Sequence, residues 1–160
     1  MKSPGHRANI LSPDLTAVGI GLVPDADGSS IYVAQDFATP IVSLSDSEAG
    51  QRVRLAVNAA QRTAARDPSD EDRSLSRLLE KSLDRLVQRD SVTVDSAILP
   101  GPGWVVAYTT SDPSDLPSEV KRRLGRKDAV RAYGVAAVFS RTPSYPFGTY
   151  WILLGTLEEQ

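Results

Sequence analysis

The only histidine of the chain, His6, lies in the run Ser3-Pro4-Gly5-His6-Arg7-Ala8-Asn9-Ile10-Leu11. Imidazole exchanges protons near neutral pH and is a common metal ligand. His6 is therefore a candidate metal ligand or general base. Either role needs partners. Zinc takes three or four protein ligands, and a hydrolytic triad needs a nucleophile, a base and an orienting carboxylate in set geometry. Ser3, Ser12, Thr16 and Asp14 are near His6 along the chain, but nearness in sequence does not make a triad. A carboxylate such as Glu119 can approach from the second half, although nothing in the sequence argues that it does. The alternative reading gives His6 a structural task, orienting the N-terminus of a short helix. Arg7 and Asn9 then tie the helix end to the following hairpin.

Other chemistry-bearing patterns are weaker. Gly19-Ile20-Gly21 falls inside a β-branched run rather than between a strand and a helix, and the third glycine of a dinucleotide fingerprint is missing. Its glycines read as room for a neighbouring element. Lys121-Arg122-Arg123 with Arg126-Lys127 is a local basic patch, best read as a solvated helix face. A formal net charge of -2 supplies no general field toward nucleic acid, so no nucleic-acid partner is expected. Trp104, Tyr108, Tyr150 and Trp151 sit on strand patterns, where core packing is the default; the alternative is a ligand cavity. The chain has no cysteine, which removes disulfides, thiolate metal sites and cysteine nucleophiles together. No run approaches the roughly 20 apolar residues of a membrane helix, and no apolar signal core follows the first residues.

The elements that must position these residues follow from periodicity. Ser3 can cap a short helix over 3–11, with Pro4 at its first position. Thr16–Val23 and Ile31–Phe37 read as a hairpin across the turn-forming Pro24-Asp25-Ala26-Asp27-Gly28-Ser29-Ser30. Ser45 and Glu48 have capping-box spacing, and Val53, Ala56, Val57, Ala60 and Ala64 then form a helical stripe that Asp67-Pro68 ends. A second helix restarts at Ser69, with Leu75, Leu78, Leu79, Leu83, Leu86 and Val87 on one face and Arg77, Glu80, Lys81, Asp84 and Arg85 on the other. Residues 91–99 alternate as a strand. The turn Pro100-Gly101-Pro102-Gly103 leads into a strand over 104–109. A short helix follows at 116–125. A closing hairpin runs from Val130–Phe139, through a proline-bearing loop, to Gly148–Leu154.

The two hairpins are alike. Val18-Gly19-Ile20-Gly21-Leu22-Val23 with Gly28-Ser29-Ser30-Ile31-Tyr32-Val33 parallels Tyr133-Gly134-Val135-Ala136-Ala137-Val138 with Gly148-Thr149-Tyr150-Trp151-Ile152-Leu153. Each follows a short proline-led helix. This predicts an internal repeat.

The Gly5-His6-Arg7 run, Asn9, the glycine-alternating strand and the closing Tyr32-Val33-Ala34-Gln35-Asp36-Phe37 together resemble the C-terminal part of a bacterial CAP domain. This is the SCP-like superfamily of cysteine-rich secretory proteins, antigen 5 (allergen V5) and pathogenesis-related 1 proteins. The resemblance implies an α+β fold, an α-β-α sandwich with a small antiparallel sheet, partly duplicated. Residues 1–40 are then the C-terminal remnant of one CAP domain, expected to dock on the second unit, and 46–160 a degenerate CAP-like unit. In the family two histidines and two acidic residues line a cavity that can hold a divalent metal such as zinc. His6 matches the second histidine. The first histidine and the acidic partners have no counterpart here, and the second copy has no histidine in Ser118-Glu119-Val120-Lys121-Arg122-Arg123-Leu124.

Three functions are compatible with these residues. The first is a non-catalytic binding or interaction module, taking a small ligand or a protein and secreted or held in the cell envelope. The second is a metal-assisted hydrolase using His6. The third is a gene fragment whose frame starts at an internal methionine, since Met1 sits where the family has a residue just ahead of the Ser-Pro-Gly-His run.

Overall fold

The computed structural model describes residues 3–65, 67–126 and 130–158. The chain is mixed α+β and divides into two compact units, residues 1–42 and 43–160.

The first unit is a short helix and a hairpin. Helix α1, Pro4–Ile10, starts with Pro4 at its first position, as the missing N–H of proline allows. Ser3 is the N-cap residue, but its hydroxyl makes no cap bond. Strands β1 (Ala17–Pro24) and β2 (Ile31–Ala38) pair antiparallel from Ala17↔Ala38 to Pro24↔Ile31. Their turn is closed by Asp25 N–H donating to the Ser30 carbonyl at 3.0 Å and by Ser29 N–H donating to Asp27 Oδ1 at 2.8 Å. Gly28 takes φ +74°, the left-handed value glycine tolerates best. The Thr39 hydroxyl donates to the Asp14 carbonyl and fastens the hairpin base.

The second unit is a three-layer arrangement. Helix α2 (Asp46–Thr63) opens on the Ser45/Glu48 capping box: Glu48 N–H donates to Ser45 Oγ and Ser45 N–H to Glu48 Oε2 at 2.9 Å. Its buried residues include Ala49, Val53, Val57 and Gln61, a strict i+4 ladder. Ala56 and Ala60, expected on the buried stripe, are only half-buried, and Ala64 is exposed. Gln61 is buried because its amide clamps the chain reversal, donating to Ser69 Oγ at 2.7 Å and accepting from Ser69 N–H at 3.0 Å.

Helix α3 is Arg73–Gln88, capped by Asp72 rather than started at Ser69: the Asp72 carboxylate accepts from the N–H groups of Ser74 and Leu75. A two-residue strand β3 (Asp70–Glu71) occupies the residues where helix was expected. The 91–99 strand is not formed either; Ser96–Ile98 is a 3-10 turn capped by Asp95. Asp95 supplies an acceptor to Ala97 N–H at 2.9 Å, and such local bonding competes with a sheet ladder. Then come β4 (Gly103–Thr110), α4 (Ser118–Leu124), β5 (Val130–Thr142) and β6 (Tyr145–Glu158). The closing hairpin turns at 143–144, so the expected loop over 145–147 is part of β6 instead.

The sheet order is β3-β5-β6-β4, with β3 parallel to β5 and the other pairs antiparallel. It is therefore mixed at one edge. On one face Ala136, Val138, Trp151, Leu153, Leu157, Val105 and Ala107 pack against Leu75, Leu79, Leu83 and Leu86 of α3. Burying each such leucine contributes about 1.5–3 kcal/mol. The alternate residues, Tyr133, Val135, Ile152 and Leu154, line the opposite face, where β5 meets α2.

Candidate functional site

His6 lies on α1, a seven-residue helix on which no residue is buried. Arg7 contributes backbone bonds: its N–H donates to the Ser3 carbonyl at 3.1 Å and its carbonyl accepts from Leu11 N–H at 3.0 Å. Among the described residues, no group of three or more His, Cys, Asp or Glu side chains is arranged to hold a metal ion. Among the described residues one imidazole leaves two or three of zinc's ligands unsupplied. The structure does not bring Glu119 into metal chemistry. Its carboxylate is held by Arg123 at 2.9 Å and by Arg122, and the Arg123 bond leads the causes that lower its pKa.

The aromatic residues separate into two roles. Tyr150 and Trp151 are core, as strand aromatics usually are. Tyr150 stacks edge-on with Phe139 at 5.1 Å, and its hydroxyl accepts from Leu44 N–H at 2.7 Å. Burial pushes the Tyr108 phenol above its usual range. Trp104 is the exception, forming a ledge with the Arg123 guanidinium 5.5 Å above its ring. Lys121, Arg122 and Arg123 of the basic patch are each ion-paired, to Asp115 or Glu119, as a solvated face would be.

Within the second unit a groove of about 460 Å³ lies between α2, α3 and the edge of β5. Asp46, Ser47, Gly50 and Arg54 come from α2 and Glu80, Leu83 and Asp84 from α3; the floor is Val135–Val138. Arg54 folds back over Gly50, its nearest guanidinium nitrogen 3.0 Å from where a Cβ would stand. Arg54 Nε sits 2.8 Å from Glu71 Oε1, an ion pair whose N–H is not aimed as a hydrogen bond. The same Glu71 oxygen accepts from Ser76 Oγ at 2.8 Å, and Ser76 Oγ in turn accepts from the buried N–H of Val135 at 3.1 Å. Tyr133 reaches α2 through its hydroxyl, which donates to Asn58 Oδ1 at 3.3 Å. Its pKa is raised first by burial and then by Glu71.

Sequence reasoning placed Glu80 and Asp84 on a solvated helix face and missed this groove. Both are exposed, so the assignment to the polar face was right. The groove exists because β3 is only two residues long and leaves the rest of the β5 edge uncovered.

Residues 1–37 match the family model of CAP, the cysteine-rich secretory protein family. Over that stretch, which ends in β2, the chain is similar to CAP domains, and His6 lies within it. No curated protein and no solved structure matches the chain. Among the described residues no helix is long and apolar enough to cross a membrane.

Proposed function

We propose that the protein is a non-catalytic binding or interaction module of CAP ancestry that acts outside the cytoplasm. The observation that carries this is the apolar surface of the hairpin lying within the CAP-matched stretch. By the β1–β2 register Ile20, Leu22, Ile31 and Val33 share one face of the hairpin, and each is 58–66 % exposed. Exposed apolar patches of this kind mark interaction surfaces. The family match supports an extracytoplasmic setting. The domain reading, a CAP remnant followed by a degenerate copy, is part of the proposal. Its support is the shared order: α1 with Pro4 precedes β1–β2, and α4, with Pro117 at its N-cap, precedes β5–β6. In this reading the metal role of His6 belongs to a fuller ligand set than the described residues provide.

Zinc and cadmium titration calorimetry on the protein and on His6→Ala tests the proposal, alongside turnover of ester and peptide substrates. Equal uptake by both proteins and no turnover are expected. Metal-dependent hydrolysis that disappears in His6→Ala would sink the non-catalytic reading.

A further inference from the structure

The β5 edge beyond β3 has a defined hydrogen-bonding register. In an antiparallel strand, successive residues point their N–H and C=O groups alternately toward and away from a given neighbour. The Tyr133 carbonyl accepts from Asp72 N–H at 2.8 Å and the Val135 N–H donates to Ser76 Oγ. Odd-numbered residues of β5 therefore direct their backbone groups away from β6. The chain itself adds a strand to this edge, but β3 pairs only with Ala132 and Tyr133 before the Asp72 cap turns it into α3. Beyond Ser76 the outward groups are the Val135 carbonyl and both backbone groups of Ala137. They lie on the groove floor, and Ala137 and Val138 are only half-buried.

The walls select the charge of an occupant. Asp46, Glu80 and Asp84 line the groove against one cation, Arg54, which is already paired with Glu71. The edge is also recessed between two helices. Two copies of the chain meeting edge to edge would bring two acidic rims together, and like charges so placed repel.

We propose that the Val135–Phe139 edge of β5 binds an extended, lysine- or arginine-bearing peptide segment by strand addition, continuing the sheet where β3 stops. Main-chain bonds to Ala137 set the register and the acidic rim selects basic side chains, the division of labour usual in this recognition mode. The inference rests on the reading of the chain as a binding module and names a partner class for it.

The test uses the full chain and a fluorescein-labelled octapeptide of alternating lysine and valine, read by fluorescence anisotropy at low salt. Saturable binding is expected, weakened at least tenfold when glutamate replaces lysine in the peptide. The same loss is expected when alternate amides of the peptide are N-methylated, which leaves the protein untouched. Ala137→Pro, whose N–H faces the groove rather than β6, and the double variant Glu80→Lys, Asp84→Lys should lose binding while keeping the wild-type circular dichroism spectrum. Binding that ignores N-methylation and Ala137→Pro would refute strand addition yet leave a binding module standing. No binding at all would also overturn the proposal. So would sedimentation showing a dimer that Ala137→Pro dissociates, because the occupant would then be a second copy. His6-dependent hydrolysis, by contrast, would remove the module reading without touching the peptide result.

Discussion

Replacing Gly134 by alanine tests how closely α3 is held against the sheet. A Cβ at Gly134 would lie 2.7 Å from Leu75 Cγ, 2.8 Å from Ser76 N and 3.0 Å from Leu75 C. Carbon contacts are comfortable only from about 3.5 Å. Two of the three atoms are backbone, so no rotamer change relieves the overlap; the first turn of α3 must move. That turn is anchored by the Asp72 cap to Ser74 and Leu75, by Asp72 N–H on the Tyr133 carbonyl, and by Ser76 Oγ on Val135 N–H. Overpacking of this kind costs about 1–3 kcal/mol. It is offset in part by the roughly 0.5–1 kcal/mol that alanine gains over glycine inside a strand. A net loss of about 1–2 kcal/mol is expected, seen as a melting temperature lowered by roughly 2–8 °C. Urea unfolding followed by tryptophan fluorescence reads it directly, because Trp151 is buried in the same cluster as Leu75. Gly101→Ala is the control, since a Cβ there meets nothing within 4 Å. A Gly134→Ala protein as stable as wild type, or more so, would show that α3 does not bear on β5 at that point.

Ser76→Ala leaves the buried N–H of Val135 without its acceptor, a loss of about 1–3 kcal/mol; denaturant midpoints check it, and Ser76→Thr, which keeps the hydroxyl, should recover part of the loss. Asp90 accepts from the Thr142 hydroxyl at 2.6 Å and from Ser144 N–H at 2.7 Å. The Thr142 bond is the leading cause of its lowered pKa; burial opposes the shift, and Ser144 adds to it. A depressed folded pKa means the carboxylate stabilises the fold above the unfolded value near 4 and ceases to as pH falls through the folded value. The stability difference between wild type and Asp90→Asn should therefore be constant at neutral pH and shrink below about pH 4. Melts between pH 3 and 6 would show this, and a pH-independent difference would mean that Asp90 acts through shape alone.

The helices of the second unit were legible because their signals are local. Ser45 and Glu48 sit three residues apart and form the box themselves, and the leucines from Leu75 to Leu86 repeat at helical spacing whatever they pack against. The CAP likeness was legible for the same reason, since the Gly-His-Arg run and the glycine-alternating strand lie within the matched residues 1–37. The misreadings fell where competing bonds decide. Asp72 won the cap from Ser69 because Ser69 is engaged by Gln61. Residues 96–98 turned because Asp95 supplied a nearer acceptor than a strand.

What the sequence determined by itself was the main helices, the two hairpins, the α+β class and the CAP likeness of the first hairpin, all of which follow from spacing along one segment. Only the tertiary structure decided what the exposed carboxylates of α3 face. Glu80 and Asp84 are ordinary polar-face residues until β3 stops after Glu71 and leaves β5 bare between two helices. The length of that pairing depends on where the α3 cap falls and on how close Gly134 lets the helix approach. Those are long-range contacts that no periodicity in the chain records.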